Sequence, residues 1–390
     1  MNYHPIANLF PMMNEQEYKV LREDLHKNGF RPENPIIIIN DMILDGRNRY
    51  KAAIEENITP IFKKYIGDNP LDFVISQNLH RRHLNESQRA MIAVRMANME
   101  RGGDRPSKND ANFDSANLPN GISQIEAAQR MNISERLIRS AKKIKEKAPE
   151  LVQLIESNKM TINDAEKRIK EKETIKHRQE IANIGASLKS SDLWHVELSD
   201  IHTYQTEKKF DFIITDPPYS KEYLPLYEVL AQRTKEWLIP EGLLMIMCGN
   251  SYINKIYEIM DNFLVYYWTA VYLTPGQSVS LRQKQVNTNW KPLLIYSITN
   301  NKYKGKIFSD VFVSDKNEKD YHQWGQSESG MFDIISKICL PGQSIFDPFC
   351  GTSTTGVAAL KHGCIFTGID LDEQAINISK KRLYDSTKNR

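Results

Sequence analysis

The sequence predicts an α/β protein in which a large C-terminal domain follows a small α+β domain and an all-α region. The strongest observation is the alternation of strand-sized apolar runs with helical patterns from about residue 188 onward. This alternation is typical of a mostly parallel sheet with helices on both faces. A β-branched run at Ile36–Ile39 indicates a small sheet near the N-terminus, and residues 122–185 contain helical patterns alone.

The composition excludes several classes of protein. A length of 390 residues suggests two or three domains, and 40% hydrophobic with 26% charged residues is usual for a globular protein. The net charge of +3 gives no global positive field, so a surface that binds nucleic acid must be local. The four cysteines form no C-x-x-C pair, which favours a reducing compartment and argues against a disulfide framework or a zinc ribbon.

The sequence shows no pattern for secretion, membrane insertion or metal binding. No basic stretch leads into an apolar segment at the start, and the longest apolar runs have the length of strands. His80 and His83 have a spacing that zinc could use, but Arg81 and Arg82 between them argue against a cation there. We therefore expect a cytoplasmic protein without a metal and without membrane contact.

The first block, residues 1–99, reads as a small α+β domain. A helical pattern at Glu15–Asn28 ends at a glycine, and the run Ile36–Ile39 is followed by an Asn-Asp turn and a returning strand at Met42–Leu44. Residues 100–121 are rich in Gly, Asn, Asp, Ser and Pro, so we expect a linker.

The second block, residues 122–185, contains a helix-turn-helix pattern. Asn132 stands where a left-handed residue is needed, and Ser134 can cap the second helix. The expected shared core is Ile125, Ala128, Met131, Ile133 and Ile138. An ordinary helical hairpin is the alternative.

The second helix of this pattern begins a basic segment. Residues 136–178 contain 13 Lys and Arg against 7 Asp and Glu, a local net charge of +6. Such a run can be a solvated helix face. Next to a helix-turn-helix it favours contact with DNA, through Arg136, Arg139, Lys142 and Lys143.

The third block, residues 188–390, supplies the alternating elements. The expected strands are Leu193–Leu198, Phe210–Thr215, Leu243–Met247, Val265–Tyr272, Leu293–Ile298, Ser344–Phe346 and Cys364–Ile369. The expected helices are Leu224–Trp237, Asn254–Phe263, Phe332–Cys339, Thr354–Lys361 and Gln374–Leu383.

A stiff turn with an acidic residue follows the strand Phe210–Thr215. It reads Asp216-Pro217-Pro218-Tyr219, and ligands bind at this end of the strands in open α/β sheets. The prolines fix φ and remove two backbone donors, which leaves carbonyl groups as acceptors. The Asp216 carboxylate and the Pro217 carbonyl can accept both hydrogens of an exocyclic amine, and Tyr219 offers a face for an extruded base. A Pro-Pro turn that merely ends a strand is the alternative.

A second motif combines a strand, a glycine turn and a helix N-terminus within residues 344–356. Asp347 can pair with an ammonium group, and Gly351 allows close approach of a ligand. Thr354 and Thr355 stand at a helix end that can hold a carboxylate, and Asp370 ends the next strand, where ribose hydroxyls are commonly bound. Together they suit a nucleoside linked to an amino acid, as in S-adenosylmethionine. The G-x-G-x-x-G spacing of nicotinamide-binding domains is absent.

The two motifs resemble those of the amino-methylating DNA methyltransferases. That family has D-P-P-Y and D-P-F-x-G-x-G-T-T; this chain has Asp216–Tyr219 and Asp347-Pro348-Phe349-Cys-Gly351-Thr-Ser353-Thr354-Thr355, which departs at Ser353 from the second glycine. The catalytic motif precedes the cofactor motif, as in the permuted group called beta. The resemblance implies a class I, Rossmann-like methyltransferase domain that uses S-adenosylmethionine.

The resemblance also implies further site residues and a product. Asp200 resembles the acidic residue near the cofactor's adenine, with a surface turn as the alternative, and Ser327 ends a segment resembling the one at the methionine end. Asp-Pro-Pro-Tyr is the form usual for adenine N6, whereas Ser-Pro-Pro-Tyr is commoner for cytosine N4. The amine-accepting chemistry alone leaves both products open.

Two stretches of the first block resemble the ParB and sulfiredoxin-like fold. These are residues 45–49 and 78–84, and the resemblance implies that Arg47, Arg49, Arg81 and Arg82 contact the phosphates of a nucleotide. A scaffold that binds no nucleotide, or a surface that contacts DNA, is the alternative.

These observations predict a site-specific adenine-N6 methyltransferase acting on double-stranded DNA, in the setting of restriction–modification. Arg282 and Lys284, between the predicted strands ending at Tyr272 and beginning at Leu293, are expected to face DNA. Cytosine-N4 methylation is one alternative. A ParB-like DNA-binding regulator with a non-catalytic methyltransferase domain is another, and a homodimer is left open.

Overall fold

The computed structural model describes residues 1–79, 84–98, 122–275, 278–300, 303–315 and 327–388. The predicted linker at 100–121, both arginines at 81 and 82, and the histidines at 80 and 83 lie outside these ranges. The chain forms two compact units, Met1–Glu173 and Thr174–Arg390. Within the described ranges, no helix has the length and apolar character needed to cross a membrane.

The N-terminal unit consists of helices around a small sheet. In chain order its elements are α1 (Glu15–Asn28), β1 (Ile36–Ile39), β2 (Met42–Asp45), α2 (Arg47–Glu55), β3 (Phe62–Lys64), α3 (Pro70–Leu79), α4 (Glu86–Asn98), α5 (Gln124–Met131), α6 (Glu135–Lys147) and α7 (Val152–Glu156). Helix α8 (Ile162–Ala186) begins in this unit and ends in the next.

Local sequence signals explain the first elements. The Asn14 side chain and Glu17 form a capping box at the start of α1, and Gly29 ends the helix with φ of +72°. Asn40 and Asp41 both adopt positive φ, which gives the tight turn between antiparallel β1 and β2. The predicted first helix and the hairpin are confirmed.

The helix–turn–helix geometry of α5 and α6 also follows from its caps. Asn132 is left-handed, with φ of 48°, and the Ser134 side chain accepts a hydrogen bond from the Leu137 amide. The expected place of Ile125 in the shared core is wrong, because its side chain is 53% exposed. The inward face of α5 is formed by Ala127, Ala128 and Met131 instead.

The first two predicted blocks share one hydrophobic cluster. This cluster joins side chains of α3 and α4, such as Val74 and Met91, to side chains of α5 and α6, such as Met131 and Ile138. The helical block is therefore packed into the same unit as the small sheet.

The C-terminal unit contains the alternating elements that the sequence predicts. They are β4 (Trp194–Leu198), β5 (Phe210–Thr215), α9 (Leu224–Trp237), β6 (Leu238–Met247), α10 (Ile253–Met260), β7 (Val265–Leu273), β8 (Val279–Leu281), β9 (Val286–Thr288), β10 (Trp290–Ser297), β11 (Val311–Val313), α11 (Glu328–Ile338), β12 (Ser344–Asp347), α12 (Thr354–His362), β13 (Ile365–Asp370) and α13 (Glu373–Lys388). The three-residue strands β8, β9 and β11 are additional to the prediction.

The sheet of this unit places β5 and β12, the strands that lead into the two motifs, side by side. In the described residues it has eight strands in the order β11-β7-β10-β6-β5-β12-β13-β4, and β10 is antiparallel to both its neighbours. Alternate residues of β5 and β6 enter two separate clusters, one containing residues of α11 and α12 and the other residues of α9 and α10. This confirms a mixed α/β unit with a large sheet covered on both faces.

Candidate active site

The two sequence motifs meet at the centre of the sheet. Strands β5 and β12 are parallel neighbours, β5 leads on to β6 on one side, and β12 leads on to β13 on the other. Adjacent strands whose connections diverge in this way open a crevice at their carboxyl ends. Asp216 follows β5 and Asp347 ends β12, so both lie at this crevice.

The catalytic candidates form a compact turn after β5. Pro217 is buried, whereas Asp216, Pro218 and Tyr219 are half-buried at the edge. The Tyr219 hydroxyl donates a hydrogen bond to Asp216 Oδ1. Burial raises the pKa of Tyr219 well above its usual value, so the phenol stays protonated and can donate at neutral pH. The Asp216 carboxylate thus accepts from a hydroxyl that another donor could replace.

Two residues that the sequence analysis missed support the Tyr219 ring. Gly249, after β6, lies so close that a Cβ built there would approach Tyr219 Cβ to 3.2 Å. Lys291, near the start of antiparallel β10, donates from Nζ to the Tyr219 hydroxyl over 3.2 Å. A lysine inside an otherwise apolar strand could have indicated a functional residue. Its place beside Tyr219, however, depends on the order of the strands in the sheet.

Asp347 is the most deeply buried carboxylate of the edge, with 3% of its surface exposed. Its Oδ1 accepts from the Thr215 hydroxyl at 2.7 Å and the Phe349 amide at 3.1 Å, and its Oδ2 accepts from the Thr355 hydroxyl at 2.8 Å. Burial raises the pKa of Asp347 to about 7; these hydrogen bonds lower it, and the nearby Asp216 raises it further. The group can therefore change charge near neutral pH.

The loop after β12 is shaped by two left-handed residues. Gly351 has φ of +49°, and a Cβ built there would meet no atom within 4 Å, so the backbone borders open space. Its amide donates to Asp370 Oδ2 at 2.8 Å, which ties the loop to the end of β13. Ser353 has φ of 56°, so a left-handed residue stands where the family has its second glycine.

Replacing Ser353 with glycine is expected to raise the free energy of unfolding by roughly 0.5–1 kcal/mol. The left-handed conformation destabilises a residue that has a Cβ by about 1–2 kcal/mol, and glycine avoids this strain. Glycine also loses more backbone entropy on folding, which reduces the gain by about 0.5–1 kcal/mol. Urea denaturation monitored by circular dichroism measures the change. A fall in stability would show that the buried serine contributes more than its backbone costs.

The hydroxyl groups of Thr354 and Thr355, at the start of α12, bond to other residues of the chain. The Thr355 hydroxyl donates to Asp347, and the Thr354 hydroxyl accepts from Arg382 Nη1 at 3.3 Å. Arg382 is buried; it also donates to the Thr352 carbonyl at 2.6 Å and pairs with Glu328 at 2.7 Å. Both hydroxyls therefore have partners within the protein, and Arg382, which the sequence analysis missed, braces the loop.

The remaining cofactor candidates are Asp200, which follows β4, and Ser327, which precedes α11. The Asp200 carboxylate accepts from the backbone amide and the ring of His202, and the backbone bond is the main cause that lowers the pKa of Asp200. Next to it, the Ser199 amide donates to the Asp370 carbonyl. Ser327 is buried before α11, and its hydroxyl contacts Ser329 at 2.8 Å.

These residues fit a nucleoside linked to an amino acid. The Asp347 carboxylate suits an ammonium group, the open backbone at Gly351 suits close approach, and the N-terminus of α12 suits a carboxylate. Asp370 adds a second carboxylate at the end of β13. Pro348 and Phe349 join Asp347 to this loop. In the described part of the chain, no group of three or more His, Cys, Asp or Glu has a metal-binding arrangement.

The affinity for S-adenosylmethionine is expected to increase about tenfold between about pH 6 and pH 8. An ammonium group binds the ionised form of Asp347, whose pKa is raised to about 7, so binding below that pH must release a proton. The folded-state pKa lies above the unfolded value, so this carboxyl favours the folded state at low pH and loses that contribution as pH rises towards 7. Calorimetric titration in buffers of different ionisation enthalpy measures both quantities; Asp347→Asn should bind weakly and independently of pH.

The candidate DNA contacts fall in both units. Arg136, Arg139 and Lys143 are exposed on α6, and Lys142 lies 3.9 Å from Glu146 on the same helix. Arg282 and Lys284 lie in the turn between β8 and β9.

That turn belongs to an antiparallel ribbon formed by β8 and β9. The ribbon connects β7 to β10 at the edge where Tyr219 lies, and Lys284 Nζ donates to the Ser251 carbonyl at 3.1 Å. The structure therefore brings these basic residues to the same edge as the catalytic turn.

Two of the arginines proposed for a nucleotide, Arg47 and Arg49, line a cavity of about 410 Å³ in the N-terminal unit. Arg47 donates to the Asn8 side chain and the Phe10 carbonyl, and Arg49 pairs with Asp45 at 3.1 Å. Both guanidinium groups thus hold neighbouring parts of the chain together while they line the cavity.

Comparison with known proteins identifies a family that matches the C-terminal unit and relatives that match parts of the chain. Residues 199–381 match the N6_N4_Mtase family, described as DNA methylase. The Type II methyltransferase M.HpaI of Haemophilus parainfluenzae is 27% identical over 217 residues, which are 45% of this chain and 69% of that protein. The putative methylase YubD of Escherichia coli K12 is 24% identical over 184 residues, 44% and 81% of the two chains.

A solved structure was also matched. The M1.HpyAVI–SAM complex is 25% identical, covers 49% of this chain and 98% of that one, and has a TM-score of 0.41. The family match and the methyltransferase relatives together support a DNA methyltransferase of the amino-methylating type in the C-terminal unit.

Proposed function

We propose that this DNA methyltransferase uses S-adenosylmethionine to methylate N6 of adenine at specific sites in double-stranded DNA. The observation that carries the proposal is the meeting of Asp216 and Asp347 at neighbouring strand ends, with Thr215 joining them. An amine acceptor and a site suited to an amino-acid-linked nucleoside thus share one crevice. The Type II methyltransferases among its relatives support a role in DNA methylation and restriction–modification.

The residues of the catalytic turn bind and orient the target base. The Asp216 carboxylate and the Pro217 carbonyl accept the two hydrogens of the exocyclic amine, which draws the nitrogen towards a pyramidal geometry and exposes its lone pair. The amine replaces the Tyr219 hydroxyl as the donor to Asp216, and the extruded base stacks on the Tyr219 ring. When bound, S-adenosylmethionine supplies the electrophilic methyl group. Asp216 then holds the proton that the methylated amine releases.

The other parts of the chain hold the duplex. The exposed Arg136, Arg139 and Lys143 of α6 suit phosphate oxygens, as does the Arg282–Lys284 turn. We propose that the helix-turn-helix contributes to the choice of target site. A ParB-like nucleotide site around Arg47 and Arg49 is a separate proposal, tested by binding of labelled nucleoside triphosphates to wild type and to Arg47→Ala.

Expression of the chain in a bacterial strain free of DNA methylation tests the product. Single-molecule sequencing of the genome should show N6-methyladenine at one recurring sequence, absent from cells that express Asp216→Ala. N4-methylcytosine at a recurring sequence would establish the cytosine reaction instead. An unmodified genome, together with DNA binding by the purified chain, would favour a non-catalytic regulator.

A further inference from the structure

Thr215 connects the two halves of the proposed site. It is the last residue of β5 and the covalent neighbour of Asp216, and its side chain is fully buried. Its hydroxyl donates to Asp347 Oδ1 at 2.7 Å. The backbone register of the two strands pairs Ile345 with Phe212 and Phe346 with Ile213, before either motif begins. The hydroxyl therefore links β5 to β12 beyond their paired backbone, next to the proposed site of methyl transfer.

We propose that Thr215 is a positioning residue for methyl transfer, which fixes the separation between the amine-accepting turn and the cofactor loop through its hydrogen bond to Asp347. The inference rests on the proposed function. It gives Asp347 a second task, because this carboxylate then serves as the anchor for the catalytic strand as well as a ligand for the ammonium group.

The required precision explains why one hydroxyl matters. Reacting atoms must lie about 3–3.5 Å apart and in line, and a misplacement of 1 Å can cost about 100-fold in rate. Valine has the shape of threonine and suits a buried strand, but it cannot donate to Asp347. The paired register of the two strands ends at Ile213 and Phe346, so the Thr215 hydroxyl bond lies beyond it.

The same bond influences the charge of Asp347. The titratable groups that face it are Asp216 from the catalytic turn, which raises the pKa of Asp347, and Cys350 from the cofactor loop. The Thr215 hydroxyl lowers the pKa of Asp347, as the Thr355 hydroxyl and the Phe349 amide do. Removal of the Thr215 hydroxyl should therefore move the pH midpoint of cofactor binding upward.

Three variants of the full chain separate positioning from a general loss of packing. Thr215→Val removes the hydroxyl, Thr215→Ser keeps it, and Thr234→Val removes a buried hydroxyl in α9 that donates to the Leu230 carbonyl at 2.7 Å. We expect Thr215→Val to lower kcat about 10- to 100-fold. Its dissociation constant for S-adenosylhomocysteine, measured above the pKa of Asp347, should stay within about threefold of wild type, since the carboxylate remains ionised there.

The control variants and the pH series distinguish a positioning role of Thr215 from a role in packing alone. Thr215→Ser should recover kcat to within about threefold, Thr234→Val should match wild type in kcat, and the pH midpoint of S-adenosylhomocysteine binding should rise in Thr215→Val alone. An unchanged kcat in Thr215→Val, equal losses in the serine and valine variants, or an unshifted midpoint would overturn the proposal. If the wild type transfers no methyl group to DNA, the proposed function fails, and the binding midpoint still tests the Thr215–Asp347 bond.

Discussion

Replacing Asp216 with asparagine will lower kcat for methyl transfer by about 10²- to 10³-fold. Asparagine keeps the shape of the side chain and one acceptor oxygen, but it loses the negative charge that polarises the amine hydrogen donated to it. Its amide nitrogen would in addition present hydrogens to the incoming amine or to the Tyr219 hydroxyl, which now donates to Asp216. Single-turnover transfer of labelled methyl groups to duplex DNA measures the loss at the chemical step.

A matched variant controls for the change in charge. Asp192→Asn removes the same charge from an exposed residue before β4 and should leave kcat unchanged. Asp216→Asn itself should keep its melting temperature and its affinity for S-adenosylhomocysteine. Activity of Asp216→Asn within about threefold of wild type would show that the charge of this carboxylate is not needed for the reaction.

Replacing Tyr219 with alanine will lower kcat/KM by about 5- to 150-fold, the equivalent of about 1–3 kcal/mol of base stacking. Replacing it with phenylalanine should leave kcat/KM within about threefold, because the ring remains and only the hydroxyl that bonds to Asp216 and Lys291 is lost. Phenylalanine also removes the hydroxyl that the target amine must replace, so KM for DNA should not increase. Steady-state kinetics on a duplex that contains the target site measure both constants.

The contrast between these two variants tests the role of the ring. Equal losses in alanine and phenylalanine would show that the hydroxyl, through Asp216 or Lys291, matters more than stacking. Loss of folding in the alanine variant is checked by its melting temperature, since Gly249 packs directly against the Tyr219 side chain.

The architecture of the C-terminal unit could be predicted because its signals are local. The strand Phe210–Thr215 and the helix Leu224–Trp237 have the predicted bounds, since apolar runs, prolines and caps mark their ends. The position of both motifs at the crevice followed from a general property of parallel sheets: their strands end at a common edge.

The contacts that complete the site could not be predicted, because they depend on which strands become neighbours. Lys291 reaches Tyr219 only through the antiparallel β10, and Thr215 reaches Asp347 only because β5 lies beside β12. Arg382 braces the cofactor loop from α13, about thirty residues along the chain. For each of these residues the sequence shows a side chain that can form hydrogen bonds, but it does not indicate which residue the side chain contacts.

Burial was predicted less well where helices are short. The pattern of α5 allowed Ile125 to be assigned to the core, yet it is exposed and Ala127 is buried. An eight-residue helix has about two turns, so a small rotation exchanges the residue at the border of its apolar face.

Transfer of label from methyl-labelled S-adenosylmethionine to duplex DNA, followed by digestion to nucleosides, tests the central claim most directly. The account predicts that purified wild type labels N6-methyladenine and that Asp216→Asn, folded and able to bind the cofactor, yields little or none. Label confined to N4-methylcytosine would contradict the assigned base. DNA binding without any labelled nucleoside would contradict the assignment of the C-terminal unit as an active methyltransferase.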